Sequence, residues 1–115
     1  VVTEDAFFGA SVGDSEAWLV TTSGVDDLTS DQDRRRLGTG RARPVAFQRT
    51  FREGGLVIGT DGLFKYLRRA VVAEVVRNLE PQAAADELVR QVRLPSGELA
   101  DDVAVVVVGA VRAGP

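Results

Sequence analysis

The 115-residue chain contains no cysteine, no histidine and no methionine. Without cysteine there is no disulfide framework, no thiolate nucleophile and no Cys-bearing zinc site, and nothing points to an oxidising compartment. Without histidine, the usual neutral-pH general base and the commonest transition-metal ligand are both missing. Chemistry done by this segment therefore falls to carboxylates, which suit hard, oxygen-seeking cations such as Mg2+ or Mn2+. A newly made chain begins with Met and this one begins Val1-Val2-Thr3-Glu4, so it is read as processed or as a piece of something longer.

Long hydrophobic runs are also lacking. The longest near-apolar stretch, residues 103–111, is nine residues, about half of what a membrane-spanning helix needs. No basic stretch followed by an apolar one opens the chain, so no signal peptide is visible. A net charge of −3, from 14 basic and 17 acidic side chains, gives no reason to expect nucleic acid. What is present is globular in character: 44% apolar and 27% charged residues, at a length that suits one domain with one core.

Two short apolar runs, residues 6–12 and 16–22, flank the turn-forming cluster Gly13-Asp14-Ser15, and together they predict a β-hairpin. Residues 23–53 lose periodicity, and their charge is blocky: Asp26, Asp27, Asp31 and Asp33 precede Arg34, Arg35, Arg36, Arg41, Arg43, Arg49 and Arg52. This reads as an irregular, flap-like segment with a short helix near residues 30–36. Gly54-Gly55 precedes a strand at 56–59, which runs into Thr60-Asp61-Gly62. Leu63, Leu67, Val71, Val75 and Leu79 then repeat at helical spacing, with a break near Arg69. Pro81 suits the first turn of a second helix through about residue 92, with Ala84, Leu88 and Val92 on one face. Pro95-Ser96-Gly97 marks a turn. The β-branched run 103–108 predicts a strand buried on both faces, and residues 110–115 form a tail.

Three aspartates stand where a core strand meets a turn: Asp14, Asp61 and Asp101. Strand ends are rigid, so carboxylates there converge on one point at little entropic cost, as a preorganised cation site requires. Asp is also common in turns because its carboxylate bonds backbone amides two residues on. Position alone does not separate these two roles.

The local sequences do more. Val12-Gly13-Asp14-Ser15-Glu16-Ala17, Ile58-Gly59-Thr60-Asp61-Gly62-Leu63-Phe64 and Asp101-Asp102-Val103-Ala104-Val105 stand in this order. In order and setting they resemble the C-terminal motifs of the protein phosphatase 2C family, the metal-dependent serine/threonine phosphatases. Leu28-Thr29-Ser30-Asp31-Gln32 and Arg36-Leu37-Gly38-Thr39-Gly40 are similar to the compact bacterial members, and the resemblance runs over about residues 8–108.

That resemblance implies an α+β fold, part of a four-layer α-β-β-α sandwich with antiparallel sheets, in which residues 1–115 are the C-terminal portion of one domain. It implies that Asp61 and Asp101 ligate metal, with Asp102 standing where many relatives carry Asn, and that Asp14 serves a third, weaker site. The implied cofactor is Mg2+ or Mn2+, two or three ions in a complete domain. The implied reaction is hydrolysis of a phosphoprotein by metal-activated water, which uses neither thiolate nor zinc. Glu16 and Lys65 depart from the pattern, where many relatives have Arg and an acid, and neither position is a ligand. The family's first half carries an Asp-Gly-His-Gly-Gly element and an earlier Glu-Asp pair. The former is absent, and Glu4-Asp5, only nine residues before Asp14, is read as an unrelated loop. The expected partners are a phosphoprotein substrate and the missing N-terminal half, with no nucleic acid and no membrane. The expected location is the bacterial cytoplasm, and the isolated chain is expected to be inactive.

Residues 34–52 carry seven positive charges and no acid. A solvated loop balanced by the preceding acids is the favoured reading. The sharper reading is a flap beside the cleft that attracts phosphoprotein segments, with Arg41 and Arg43 as candidate substrate contacts. A competing class for the whole chain is a non-catalytic domain of the same fold, used for regulation or interaction.

Overall fold

A computed structural model of the chain describes residue 2 and residues 6–11, 14–29, 45–50 and 53–109. Among the described residues, six strands and three helices occur in the order β1 (Ala6–Ser11), β2 (Glu16–Thr21), β3 (Gly24–Asp27), β4 (Val45–Thr50), β5 (Gly55–Gly59), α1 (Asp61–Phe64), α2 (Arg69–Asn78), α3 (Pro81–Val92) and β6 (Val105–Gly109). A four-stranded antiparallel sheet runs β3-β2-β5-β6, and β1 pairs with β4 in a separate two-stranded sheet. The fold is α+β.

Strand alternation sorts the side chains of the large sheet onto two faces. Trp18, Val20 and Val57 meet Leu63, Phe64, Val72, Ala73, Val76, Leu88 and Val92 from the helices. Leu19 and Leu56 point the other way and pack with Leu28, with Phe47 of β4 and Val108 against them. Leu63, Leu88, Val20, Val57 and Val72 are fully buried, each contributing about 1.5–3 kcal/mol of apolar transfer free energy. One helical layer thus covers one sheet face, and the β1–β4 ribbon reaches the other through Phe47. The described elements do not by themselves make up the expected four-layer sandwich.

Helix α3 forms as its sequence predicts. Pro81 occupies its first turn, where a missing N–H costs nothing, and Ala84, Leu88 and Val92 are its buried face. The turn at residues 94–98 closes with Leu94 N–H donating to Glu98 C=O and Gly97 N–H to Leu94 C=O, both at 2.8 Å. Gly97 takes φ +87°, a conformation that favours glycine.

Four expectations are corrected. The predicted hairpin of residues 6–12 and 16–22 does not form: both edges of β2 are taken, by β3 and β5, while β1 pairs with β4. Gly9 faces Phe47 across that pair, and a Cβ on Gly9 would stand 2.5 Å from the Phe47 ring. The hairpin that does form joins β2 to β3, where Thr21 pairs Gly24 across Thr22-Ser23. Second, the 23–53 segment is not irregular throughout, since it supplies β3 and β4. Its residues 30–44, with the short helix predicted at 30–36, lie outside the described residues. Third, the helix breaks before Arg69 as expected, but the break shifts the phase of α2. The buried face of α2 is Val72, Ala73 and Val76, while Leu79 is 41% exposed. Fourth, among the described residues β6 is an edge strand, covered mainly on one side. Val105 and Val107 pack on the helical core, whereas Val106 is 56% exposed.

Candidate metal centre

The sheet register carries all three candidate aspartates to one end. β2 begins with Glu16 opposite Gly59, where β5 ends, and Gly59 in turn lies opposite Val105, where β6 begins. Asp14 precedes β2, Asp61 follows β5, and Asp101 precedes β6. Asp14 therefore lies in a connection between two sheets, not in a hairpin turn.

Asp61 is pinned by its C-terminal neighbours. Leu63 is fully buried and Phe64 nearly so, and the Phe64 ring lies 4.3 Å from that of Trp18, tilted by 38°. Burying two large side chains immediately after Asp61 fixes the backbone that bears it. Arg69 covers the outer side of Trp18 at 5.1 Å, in cation–π range.

The 101–104 loop is stitched to the same turn. Thr60 N–H donates to Ala104 C=O at 3.1 Å, and Ala104 N–H donates to Thr60 Oγ1 at 3.1 Å. The Thr60 hydroxyl donates in turn to Asp102 C=O at 3.3 Å. Gly62 lets the two segments meet: a Cβ there would stand 2.2 Å from Asp102 O and 3.3 Å from Asp101 Cβ. Sequence reasoning does not single out Thr60 or Gly62. The readable signal is a glycine inside a helical turn, which costs about 1 kcal/mol against alanine and so usually marks a close approach.

Hydrogen bonding separates the structural aspartates from the candidates. Asp27 behaves as a turn former, its Oδ1 accepting from Thr29 N–H at 2.9 Å and Thr29 Oγ1 at 2.7 Å. The buried Thr29 hydroxyl accepts in turn from Ala17 N–H at 3.3 Å. Asp26 holds Arg49 Nε at 3.2 Å in an exposed ion pair, which gives Arg49 the charge-balancing role. Asp101 uses one oxygen, accepting from Asp102 N–H at 2.8 Å. That bond orients its carboxylate and leaves the second oxygen available. Among the described residues, the Asp61 and Asp14 carboxylates make no hydrogen bond or ion pair. Arg41 and Arg43 lie outside the described residues.

A cavity of about 800 Å³ opens at the opposite end of the sheet, beside Thr21, Glu53, Arg77 and Pro81. Several of its polar side chains are engaged locally: Arg77 Nε donates to Thr21 C=O at 2.9 Å, and Thr22 Oγ1 to Glu53 Oε1 at 3.0 Å. It is not continuous with the aspartates.

No protein-family model and no curated protein matches this chain. Solved structures do. A bacterial serine phosphatase superposes with a TM-score of 0.84 at 18% identity, over 100% of this chain and 57% of its own. The serine/threonine phosphatase Stp1 from Staphylococcus aureus gives 0.79 at 19% identity, over 97% of this chain and 54% of its own. The catalytic domain of the serine/threonine protein phosphatase PstP, in complex with two manganese ions, gives 0.75 at 19% identity, over 98% and 56%. The chain has the protein phosphatase 2C fold. It spans about half the length of the phosphatase 2C structures it matches.

Asp61, Asp101 and Asp102 offer oxygen donors only, which suits a hard divalent cation. The missing Cβ at Gly62 leaves the cradle that lets Asp101 sit beside the Asp61 turn. Among the described residues, no group of three or more potential ligands is close enough to hold an ion. The described residues therefore do not form a complete ligand set by themselves.

Proposed function

We propose that this chain is the C-terminal portion of a metal-dependent phosphoprotein (serine/threonine) phosphatase and supplies part of its metal site. The observation that carries this reading is the joining of the Asp61 turn to the Asp101 loop at one end of the sheet, by three hydrogen bonds through Thr60. Asp61 and Asp101 would hold one Mg2+ or Mn2+ jointly with carboxylates from the other half of the domain, and Asp14 would serve a third, weaker site. Bound there, the metal would supply a lowered water pKa and neutralisation of charge on the phosphoryl oxygens.

The chain's own residues orient and exclude. Asp102 N–H aims one Asp101 oxygen, and the Trp18–Phe64 pair walls the base of the Asp61 turn with apolar surface. Arg41 and Arg43 would meet the anionic substrate from the flap. Ile58 and Val106, cross-strand partners 41% and 56% exposed, leave an apolar end of the second sheet face that the remaining half would cover. The same reading assigns the protein to the bacterial cytoplasm. No helix among the described residues is long and apolar enough to cross a membrane.

A second reading, a non-catalytic regulatory domain on the same fold, is favoured by the partial ligand set. Hydrolysis of a phosphoserine peptide by the full-length protein decides between them. The enzyme reading requires turnover that depends on Mn2+ and is lost in Asp61→Asn. No Mn2+-dependent turnover, or turnover indifferent to Asp61→Asn, refutes it.

A further inference from the structure

Thr60 occupies the N-cap of α1, where a threonine hydroxyl ordinarily accepts from an amide of the first helical turn. Here it makes no such bond. The helix start is held through the backbone alone, with Leu63 N–H donating to Thr60 C=O at 3.0 Å. The hydroxyl is turned instead across the sheet end, accepting from Ala104 N–H and donating to Asp102 C=O. It thus grips both sides of the bend that leads from Asp101 into β6, residues 42 and 44 positions away in sequence.

We propose that Thr60 is a positioning residue that sets the spacing between Asp61 and Asp101. This rests on the reading of those two aspartates as metal ligands. Thr60 is bonded covalently to Asp61 and is two residues before the Gly62 contact, so the same three residues fix both carboxylates relative to each other. The Thr60 N–H bond to Ala104 C=O, at 3.1 Å, continues the β5–β6 ladder and needs no particular side chain. The two hydroxyl bonds do. They reach beyond the ladder to the part of the loop that carries Asp102, whose own N–H aims Asp101 Oδ1. Loss of the hydroxyl leaves the strands paired and frees the loop to drift from Asp61. Thr60 touches neither metal nor substrate, and its effect runs through ligand geometry.

The test uses the full-length protein with Mn2+ alone as the probe, measured by titration calorimetry. Thr60→Val keeps the shape and removes both hydroxyl bonds, while Thr60→Ser restores them. Outer-shell partners of metal ligands change affinity by about 10–100-fold, so Thr60→Val should weaken Mn2+ binding by about tenfold or more. Thr60→Ser should lie near the parent. In the metal-free protein, the Ala104 amide should exchange faster with solvent in Thr60→Val, with the β6 amides little changed. Thr60→Ala replaces Thr60→Val if the latter fails to fold. An unchanged Mn2+ affinity in Thr60→Val, with Asp61→Asn strongly weakened, overturns the positioning role and leaves the metal site standing. A lowered melting temperature with unchanged affinity overturns it equally, as a structural role only. If Asp61→Asn also leaves binding unchanged, the metal reading itself fails.

Discussion

Replacing Gly62 by alanine sets two physical effects against each other. Gly62 lies in the first turn of α1, where alanine is favoured over glycine by about 1 kcal/mol on helix propensity. Propensity alone predicts a more stable protein. The added methyl, however, would stand 2.2 Å from Asp102 O and 3.2 Å from Asp102 C, both backbone atoms that no rotamer change can move. An unstrained carbon–oxygen contact is about 3.3 Å or longer, so the loop would have to retreat by about 1 Å. Overpacking of this kind costs about 1–3 kcal/mol, which outweighs the propensity gain. With about 2–4 °C per kcal/mol for a domain of 150–250 residues, a net loss of about 1 kcal/mol lowers the melting temperature by about 2–4 °C. The larger effect falls on the site, because about 1 Å of displacement of Asp101 is enough to spoil ligand geometry. Calorimetry of the full-length variant should show weaker Mn2+ binding alongside the small thermal loss. A raised melting temperature with unchanged Mn2+ affinity would refute the close approach and the reasoning built on it.

Leu88 is fully buried beneath the large sheet, so Leu88→Ala should cost about 2–5 kcal/mol in chemical denaturation; a loss below about 1 kcal/mol would show that the α3 interface is loose. On the surface of α3, the Arg90 guanidinium and then the Gln91 amide stabilise the Glu87 carboxylate and lower its pKa from the usual 4.5 to about 2. A depressed folded-state pKa contributes stability above the unfolded value that is lost as pH falls through the folded one. The stability difference between the parent and Glu87→Gln should therefore persist at neutral pH and vanish between about 4.5 and about 2. A difference independent of pH across that window would count against the pair.

How far the sequence foretells this molecule depends on whether the deciding contact is local. Helix α3 is legible because Pro81 and the spacing of Ala84, Leu88 and Val92 all belong to one segment. A β1–β2 hairpin is the wrong inference because Gly13-Asp14-Ser15 reports only a tolerance for turning. The true partner of Gly9 is Phe47, far along the chain, and no short-range pattern announces that pairing. The face of α2 is misplaced for a related reason, since a non-helical stretch of a few residues after Phe64 shifts the phase of every later apolar position. The valines of β6 read as doubly buried because both faces are apolar, although only Val105 and Val107 are packed into the helical core.

The candidate site divides in the same way. Acids at strand ends are visible in Asp14, Asp61 and Asp101, and the register of β2, β5 and β6 brings them to one end of the sheet. Whether an aspartate serves its own turn is not visible: Asp27 spends its carboxylate on Thr29, whereas Asp61 does not. The grip of Thr60 on Asp102 and Ala104 is long-range and emerges only in three dimensions.

The central claim is that Asp61 and Asp101 act on one ion. It is tested most directly by calorimetric Mn2+ titration of the full-length protein, its Asp61→Asn and Asp101→Asn variants, and the double variant. The account predicts that each single change weakens the same binding event and that the double change adds far less than the sum, as ligands of a shared ion require. Two independent, additive losses, or binding unchanged in both single variants, would contradict it.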